Sequence, residues 1–527
     1  MTRAAAPLRY VPPLETQGAS GRRRPVVVAG PVGLAAAIDL AQHGAPVVLL
    51  DDNDRVSVGS RAICWAKRTL EIFDRLGAGE RMRAKGVTWR VGRLFHGEQE
   101  LWAFDLLPEP GHRMPAFVNL QQYHVERYLV ERCADFPDLI ELRWRNRVTG
   151  LGQTAEGVTL TVETPDGAYA LAADWVVACD GAKSPIRGML GLDLEGDSFE
   201  DRFLIADVHM TADFPSERWF WFAPPFHDGQ TALLHRQPDD IYRIDLQLGP
   251  EADPAAETRP EAVIPRIEKA VGGRPFALEW VSLYRFRCAR LARFLHGRVI
   301  FAGDSAHVVS PFGARGGNGG IQDVDNLCWK LAAVIRGEAG AALLESYDAE
   351  RTHGAEENIL HATRATSFMS PVGPGARLLR DETLALAAEH DFARRMVNSG
   401  RLSTPCSLAG FPLQSPDDPA MSGPMAPGAP CADAPLGDGG WLLGRLGGRF
   451  MVLAIGVEAP ETGLPTLRVG LPGGLADAEG RAAERYGAGV YLIRPDQHVA
   501  ARWAHPDAAA ILAARDRALA RPARAAA

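Results

Sequence analysis

Residues 25–52 read PVVVAGPVGLAAAIDLAQHGAPVVLLDD, and the order of parts in this stretch decides the fold. Val26–Ala29 is a short apolar run, the signature of a strand buried on both faces. Leu34–Gln42 has helical patterning, and Gly44 stands where a left-handed residue closes a helix. Val47–Leu50 is a second buried strand that ends at Asp51 and Asp52. Strand, glycine turn, helix, strand and acid in this order predict the βαβ unit of an α/β domain. The turn Ala29-Gly30-Pro31-Val32-Gly33 opens onto a helix N-terminus, where free N–H groups and the helix dipole can hold a pyrophosphate. Asp51 follows Gly33 by eighteen residues and is placed to accept hydrogen bonds from the ribose of a dinucleotide. The G-x-G-x-x-G fingerprint departs from pattern at its first position, which is Val28. Either a β-branched residue occupies a glycine place, at a cost in stability or affinity, or two residues are missing from a longer turn. A domain that keeps the fold and has lost its nucleotide is the competing expectation.

Around this unit lie 527 residues, 46% hydrophobic and 23% charged, enough for about three domains with substantial cores. Lys+Arg is 57 against Asp+Glu 65, a net charge of -8, which gives no global pull towards nucleic acid or an anionic membrane. No apolar stretch reaches the ~18 residues a membrane span needs. Residues 1–24 lack a signal-peptide core and read as a flexible tail ending in Arg22-Arg23-Arg24. Seven scattered cysteines with no CxxC point to a reducing cytoplasm and to neither disulfides nor a metal site. The middle of the chain is β-rich, with strands expected at Val158–Val162, Arg218–Phe222 and Leu233–Leu248. Strand Val299–Ala302 precedes a glycine-rich loop, Gly313–Gly320, and then an amphipathic helix carrying Val324, Leu327, Cys328, Leu331, Val334 and Ile335 on one face, ended by Gly337. Residues 412–440 read as a linker. Beyond it Phe450–Ile455, Val490–Ile493 and an Ala-rich helix over Asp507–Leu519 predict a small α/β domain.

Two further segments narrow the class. One runs from Asp174 to Arg187 and contains Val177-Ala178-Cys179-Asp180-Gly181; the other runs from Gly297 to His307, contains Ala302-Gly303-Asp304, and continues through Pro311 to Gly320. With the first turn, these motifs make residues 25–365 resemble the single-component FAD-dependent aromatic hydroxylases related to p-hydroxybenzoate hydroxylase. Leu120-Gln121-Gln122 and Leu327-Cys328-Trp329-Lys330-Leu331 add a likeness to the 3-(3-hydroxyphenyl)propionate hydroxylase-like and phenol hydroxylase-like members. The resemblance implies a Rossmann-like FAD-binding domain in two pieces, 25–190 and 291–365, with parts of the substrate sheet near 90–125. It implies an inserted β-sheet substrate domain over 190–290, a helical segment and linker over 366–430, and a C-terminal thioredoxin-like domain over 431–527.

The same resemblance assigns residues. Ala29, Gly30, Pro31, Val32 and Gly33 would face the FAD pyrophosphate, and Asp51 the adenosine ribose. Arg61 and Arg68 would lie near the phosphates, with Gln122 touching the cofactor. Asp180 and Gly181 would help hold FAD and organise the nicotinamide approach. Gly303 and Asp304 would meet the ribityl chain, and Gly316, Gly317 and Asn318 the pyrimidine end, where a helix N-terminus favours the charge of a reduced flavin. For Arg68 and Gln122 a surface role on a helix is the alternative, and His307 reads as a satisfied structural histidine.

The implied chemistry uses NAD(P)H to reduce FAD, then dioxygen to form a hydroperoxide at flavin carbon 4a, whose distal oxygen passes to a phenolic small molecule. The site must exclude water. Pro311 is tied to the reacting flavin edge, and Arg315 and Tyr284 are candidates for polarising the phenol. Phenol hydroxylases carry a carboxylate shortly before an R-T-L-E run; Ile63 stands there here, so no catalytic base is read. An oxidase or halogenase is the rival activity. Trp219-Phe220-Trp221-Phe222-Ala223-Pro224 resembles the halogenase W-x-W-x-I-P pattern with Ala223 for Ile, but two tryptophans two apart also describe one face of a strand. Ala434-Pro435-Leu436, Gly447–Ile455 and Tyr491–Asp496 resemble the thioredoxin-like appendage of phenol hydroxylases. Val457-Glu458-Ala459-Pro460 replaces the CxxC of a redox-active version, leaving a structural or homodimer-contact role.

Overall fold

The computed structural model describes residues 8–18, 24–28, 30–227, 230–397 and 402–522. Ala29 and the Arg22-Arg23 pair lie outside the described residues.

The strand β1, Arg24–Val28, pairs in parallel with β2, Val47–Asp51, on one side and with the end of β3, Gly167–Ala178, on the other. Strand β4, Val299–Phe301, adds beyond β3, also in parallel, and Ile140–Trp144 adds beyond β2. Their apolar runs follow from burial on both faces, as a parallel sheet covered by helices requires. Register aligns the strand ends: Val28 pairs with Leu50 and Ala178, and Ala178 with Phe301. Helix α1, Pro31–Gln42, returns the chain from β1 to β2, with Pro31 in its first turn and Gly44 at φ +74° beyond its end. Helix α2, Gly316–Ile335, packs beside it in the same core.

Val28 resolves the doubt over the fingerprint. It continues the regular ladder, and its carbonyl accepts from Cys179 N–H at 3.1 Å. Among the described residues of this turn, the positive φ belongs to Gly30, at +117°. The valine is not asked for a glycine conformation, so its branched side chain carries no backbone penalty.

A second sheet has eight strands and is mostly antiparallel. It joins Val91–His96 and Gln99–Asp105 to Arg218–Phe222, Thr231–Arg236, Ile241–Leu248, Glu195–His209 and Ala277–Arg290. The expected single strand Leu233–Leu248 is two strands, because Asp239 and Asp240 adopt φ +64° and +54° and turn the chain without a glycine. One face of this sheet packs Leu204, Ala206, Val208, Ile244 and Leu246 against the helix Pro260–Ala270. Trp219 and Trp221 pair with Leu234 and Ala232 and pack against that same core, with Phe214 and Phe226. The halogenase-like tryptophans are therefore packing residues on the side away from the cleft.

The C-terminal sheet has the order Thr466–Val469, Met451–Ile455, Gly489–Ile493, Val499–Trp503, the first pair parallel and the others antiparallel. That order, with helices Arg481–Tyr486 and Ala508–Ala518, is thioredoxin-like. Residues 412–440, read as a linker, are laid onto the fold, with Leu413, Met425, Cys431 and Leu436 buried. Part of the N-terminal tail also packs: Tyr10 donates to Asp166 at 2.9 Å, and Glu15 pairs with Arg143. No helix among the described residues is long and apolar enough to cross a membrane.

The C-terminal domain is fastened by a buried ionic knot. Arg494 forks onto Glu350 at 2.8 and 3.0 Å and onto Asp496 at 3.0 and 2.6 Å, while Lys330 and Asn326 also reach Glu350. All four charged side chains are fully buried. Removing one partner leaves an uncompensated buried charge, which costs about 3–5 kcal/mol. Arg494→Ala is accordingly expected to lower stability by about 3–5 kcal/mol in urea unfolding, against less than ~1 kcal/mol for breaking the exposed pair Arg81–Glu131.

Candidate active site

In an open parallel sheet, ligands bind outside the carboxyl ends of the strands. Here those ends carry the expected motifs, and direct contacts tie them together pairwise. Between the first and second segments, Val28 takes the Cys179 N–H, and a Cβ on Gly33 would lie 3.1 Å from the Val28 carbonyl and 3.5 Å from Cys179 Cβ. Between the first and third, the Val32 side chain occupies the space beside Gly303 and Gly320, where added Cβ atoms would approach it to 3.1 and 2.8 Å. Between the second and third, Ala302 N–H and the Ser305 hydroxyl donate to the Ala178 carbonyl at 3.1 and 2.6 Å, and Arg187 donates to the Ser305 carbonyl at 3.0 Å. The three motifs therefore meet at one edge of the parallel sheet.

Three carboxylates there have spare acceptor capacity. Asp51 ends β2 and its carboxylate, among the described residues, accepts only from the N–H and amide of Asn53, at 2.9 Å each; burial pushes its pKa up to about 6. Asp180 accepts from Ile186 N–H at 3.0 Å through one oxygen, and its other oxygen is buried without a partner. Asp304 is solvent-accessible at the end of β4, desolvation by the surrounding protein raises its pKa, and it makes no side-chain hydrogen bond among the described residues. Acids with unused lone pairs suit hydroxyl donors, and the N-terminus of α1 at Gly30 suits an anion. The residues present therefore fit FAD, a polyhydroxylated diphosphate.

The remaining expectations divide. Gln122 packs beside the Arg61–Ala62 segment: its side-chain oxygen accepts from Ala62 N–H at 3.3 Å, and its amide donates to Glu126 at 2.7 Å. Arg61 is exposed, with a strained φ of +47°, and its side chain has no partner among the described residues. Arg68 is not at the cleft. Its buried guanidinium is committed to Asp325 at 2.9 Å, to the Asp496 carbonyl at 2.7 Å and to Gln497 at 3.2 Å. It is a tie to the C-terminal domain. Gly181, at φ +82°, turns the chain after Asp180. The glycine-rich run is a loop only to Arg315; from Gly316 it is helical. Its glycines serve close approach, since a Cβ on Gly317 would lie 3.3 Å from the Trp65 ring. Asn318 accepts from Ala66 N–H at 2.9 Å and donates to the Cys64 carbonyl at 2.8 Å, pinning the strand Cys64–Ala66 to this helix. His307 is buried and bonded to Asp323 at 2.7 Å, so it is structural.

Beside the Phe312–Arg315 turn opens a cavity of about 360 Å³, walled by Leu94, Phe220, Phe222 and Met369. The Pro311 carbonyl accepts from Ala314 N–H at 3.0 Å within that turn. Arg315 lines the cavity and donates to Asn358 at 3.3 Å. Tyr284 packs against the aromatic cluster behind it, with Phe203, Phe286 and Phe312, and is not a lining residue.

One residue escaped the sequence reading. On strand Ile241–Leu248, Arg243, Asp245 and Gln247 alternate with the apolar residues of the packed face, so they look towards the FAD domain. Asp245 has a buried oxygen without a partner, Arg243 and Arg218 nearby, and a pKa pushed by burial to about 6. The alternation was visible in sequence. Its polar side was indistinguishable from a solvent face.

Comparison with known proteins agrees with this geometry. The FAD binding domain family matches residues 25–362, and the chain belongs to that family. A flavin-dependent monooxygenase of Mycobacteroides abscessus is 30% identical over 82% of this chain and 88% of its own. The para-nitrophenol 4-monooxygenase of a Pseudomonas species is 31% identical over 70% of this chain and 92% of its own. A 3-(3-hydroxy-phenyl)propionate/3-hydroxycinnamic acid hydroxylase of Mycolicibacterium smegmatis is 29% identical over 71% and 66%. Among solved structures, the flavin-dependent monooxygenase PieE, in complex with FAD and substrate, shares the fold at a TM-score of 0.77, with 24% identity over 96% of this chain and 100% of that one. The chain is an oxidoreductase of the flavin-dependent monooxygenase class.

Two outcomes follow from the raised carboxylates. Below about pH 6 a growing fraction of Asp51 is protonated and accepts more weakly, so FAD affinity, read by flavin fluorescence quenching, is expected to fall about three- to tenfold from pH 8 to pH 5. Asp51→Asn should flatten that profile. Asp245 has a folded pKa above its ordinary value of 3.8, so its protonation favours the fold below about pH 4, and that contribution is lost as pH rises through about 6. Asp245→Asn is therefore expected to raise the melting temperature of the flavin-free protein at pH 7.5, with the gain vanishing below pH 4.

Proposed function

We propose that this protein is a single-component aromatic hydroxylase that uses FAD, NAD(P)H and dioxygen on a phenolic substrate. The observation that carries the reading is an adjacency. Gly316, whose added Cβ would lie 4.0 Å from the Asp304 carboxylate, follows directly on the Phe312–Arg315 turn, and a cavity of about 360 Å³ walled by Phe220, Phe222 and Phe312 opens at that turn. Bound FAD, reduced by NAD(P)H, supplies an activated oxygen atom from dioxygen, chemistry no side chain provides.

The chain's own residues bind, orient and shield. Gly30 and the N-terminus of α1 would hold the pyrophosphate, Asp51 the adenosine ribose, and Asp180 and Asp304 the hydroxyl-bearing chain between them. The N-terminus of α2 at Gly316 favours negative charge beside it and so favours a reduced cofactor. Phe220, Phe222 and Phe312 exclude water from the cavity, which protects an oxygen donor from unproductive decay. Asp245 does not line the cavity but stands beside Arg218, which does; its unpartnered buried oxygen would take the proton of a phenol through a water, and its pKa of about 6 keeps it ionised at neutral pH. The seven cysteines are free thiols, six of them buried, in keeping with work in the reducing cytoplasm.

Purified protein is expected to bind FAD and to oxidise NAD(P)H faster when a suitable phenol is added, yielding a ring-hydroxylated product with little hydrogen peroxide. FAD binding followed by halide-dependent product, or by peroxide alone across a phenol panel, would refute hydroxylation. Asp245→Asn should lower kcat/KM by about 10²–10⁴ at neutral pH, with partial recovery at a pH high enough to ionise the phenol itself.

A further inference from the structure

Residues 8–17 stand ahead of β1, yet they are fastened to the turn that follows β2. Leu8 N–H donates to the Asp54 carbonyl at 2.5 Å. The Tyr10 hydroxyl donates to Asp166, and the Arg145 guanidinium stands 6.0 Å from the centre of the Tyr10 ring. Arg145 N–H in turn donates to the Asn53 carbonyl at 3.0 Å. Both contacts converge on the backbone just after Asp51.

A further fastening is buried. Glu15 pairs with Arg143 at 3.1 Å, their side chains 7% and 6% exposed. The same guanidinium donates to the Tyr169 hydroxyl at 2.8 Å, and that hydroxyl donates to Asn146 Oδ1 at 2.9 Å. Asn146 N–H then donates to the Asp51 carbonyl at 2.8 Å. Arg143, Asn146 and Tyr169 are all buried. Four links thus run from an N-terminal carboxylate to the backbone of the acid that ends β2. The sheet register allows it, since Arg143 lies opposite Leu50 and Trp144 opposite Asp51. A charged donor polarises the hydroxyl it reaches, which strengthens the next bond in line. Glu15 is not needed to neutralise Arg143, because the partly exposed Glu141 also pairs with it at 2.6 Å. What Glu15 adds from the buried side is a fixed place for the guanidinium beside Tyr169.

We propose that residues 8–17 are a working part of the cofactor site. Glu15 is a positioning residue: through Arg143, Tyr169 and Asn146 it fixes the backbone at Asp51 and so holds the Asp51 carboxylate in line with the adenosine ribose. Hydrogen bonds weaken steeply with misalignment, so a small shift of that strand end loosens the grip on a hydroxyl. The inference deepens the FAD reading and rests on Asp51 meeting that ribose. Its effect falls on the adenosine half of FAD, where the chain of bonds ends.

The test measures binding to the flavin-free protein well below its unfolding temperature, FAD by fluorescence quenching and ADP by calorimetry. ADP carries the adenosine and the diphosphate without the flavin ring. Glu15→Gln and Tyr169→Phe each break one link and are expected to weaken FAD and ADP about three- to tenfold, by the same factor for both ligands. The absorption spectrum of the bound flavin should stay as it is, because the ring end is untouched. The double variant should be no weaker than the weaker single one, since both changes cut one chain. Asp51→Asn is the reference for the end of that chain. If it weakens FAD and ADP while Glu15→Gln and Tyr169→Phe weaken neither, the positioning role is overturned and residues 8–17 only brace the fold. Single effects that add, or FAD affinity that falls while ADP affinity holds, would overturn it too. If Asp51→Asn leaves FAD affinity unchanged, the ribose assignment itself fails and takes the proposal with it.

Discussion

The in-register parallel pairing of Val28 with Leu50 and Ala178, and of Ala178 with Phe301, is the constraint from which the site follows. Neighbouring strands lie about 4.8 Å apart, so four aligned ends span only about 14 Å. Each end then needs a short polar reversal, and the reversals deliver Gly30, Asp51, Asp180 and Asp304 to one edge. The glycines follow from the same geometry. Val32 is wedged where any side chain on Gly320 or Gly303 would stand, so the first turn can approach the third segment only because those positions lack a Cβ. Three motifs separated by more than a hundred residues behave as one because the sheet leaves them no other place.

Sequence revealed the parts whose chemistry is local. A strand end, a glycine turn, a helix start and an acid leave their mark within a few residues, and Asp51, Asp180 and Asp304 stand where their motifs indicate. The misreadings share a different cause. Arg68 sits where a phosphate-binding arginine was expected, but its partners Asp325 and Asp496 are hundreds of residues away, and burial among them decides its role. The run Gly313–Gly320 reads as a loop opening the helix because glycine is a poor helix former; from Gly316 it is already helix, and small size permits the contact with Trp65 and Val32. The Asp239-Asp240 turn was hidden because it uses aspartates in a left-handed conformation.

The C-terminal domain belongs to this account through Arg68 and Arg494. Both guanidiniums are buried where the domain meets the FAD-binding unit, and Asp325, on the glycine-opened helix, also pairs with Arg75. That helix thus carries Gly316 at its cleft end and, further along, the anchor of the distant domain. Buried contacts tie this domain to α2, Arg494 through the Glu350 that Lys330 also reaches, and the Asp496 carbonyl through the Arg68 that pairs with Asp325.

The central claim is that one FAD is gripped jointly by the three converging segments. An experimental structure of the protein with FAD tests it most directly. The account predicts a single FAD along the carboxyl edge of the parallel sheet, its pyrophosphate at Gly30, its adenosine ribose on Asp51, its ribityl chain at Asp304 and its ring system beside the Phe312–Arg315 turn. A flavin bound elsewhere, or contacting only one of the three segments, would contradict it.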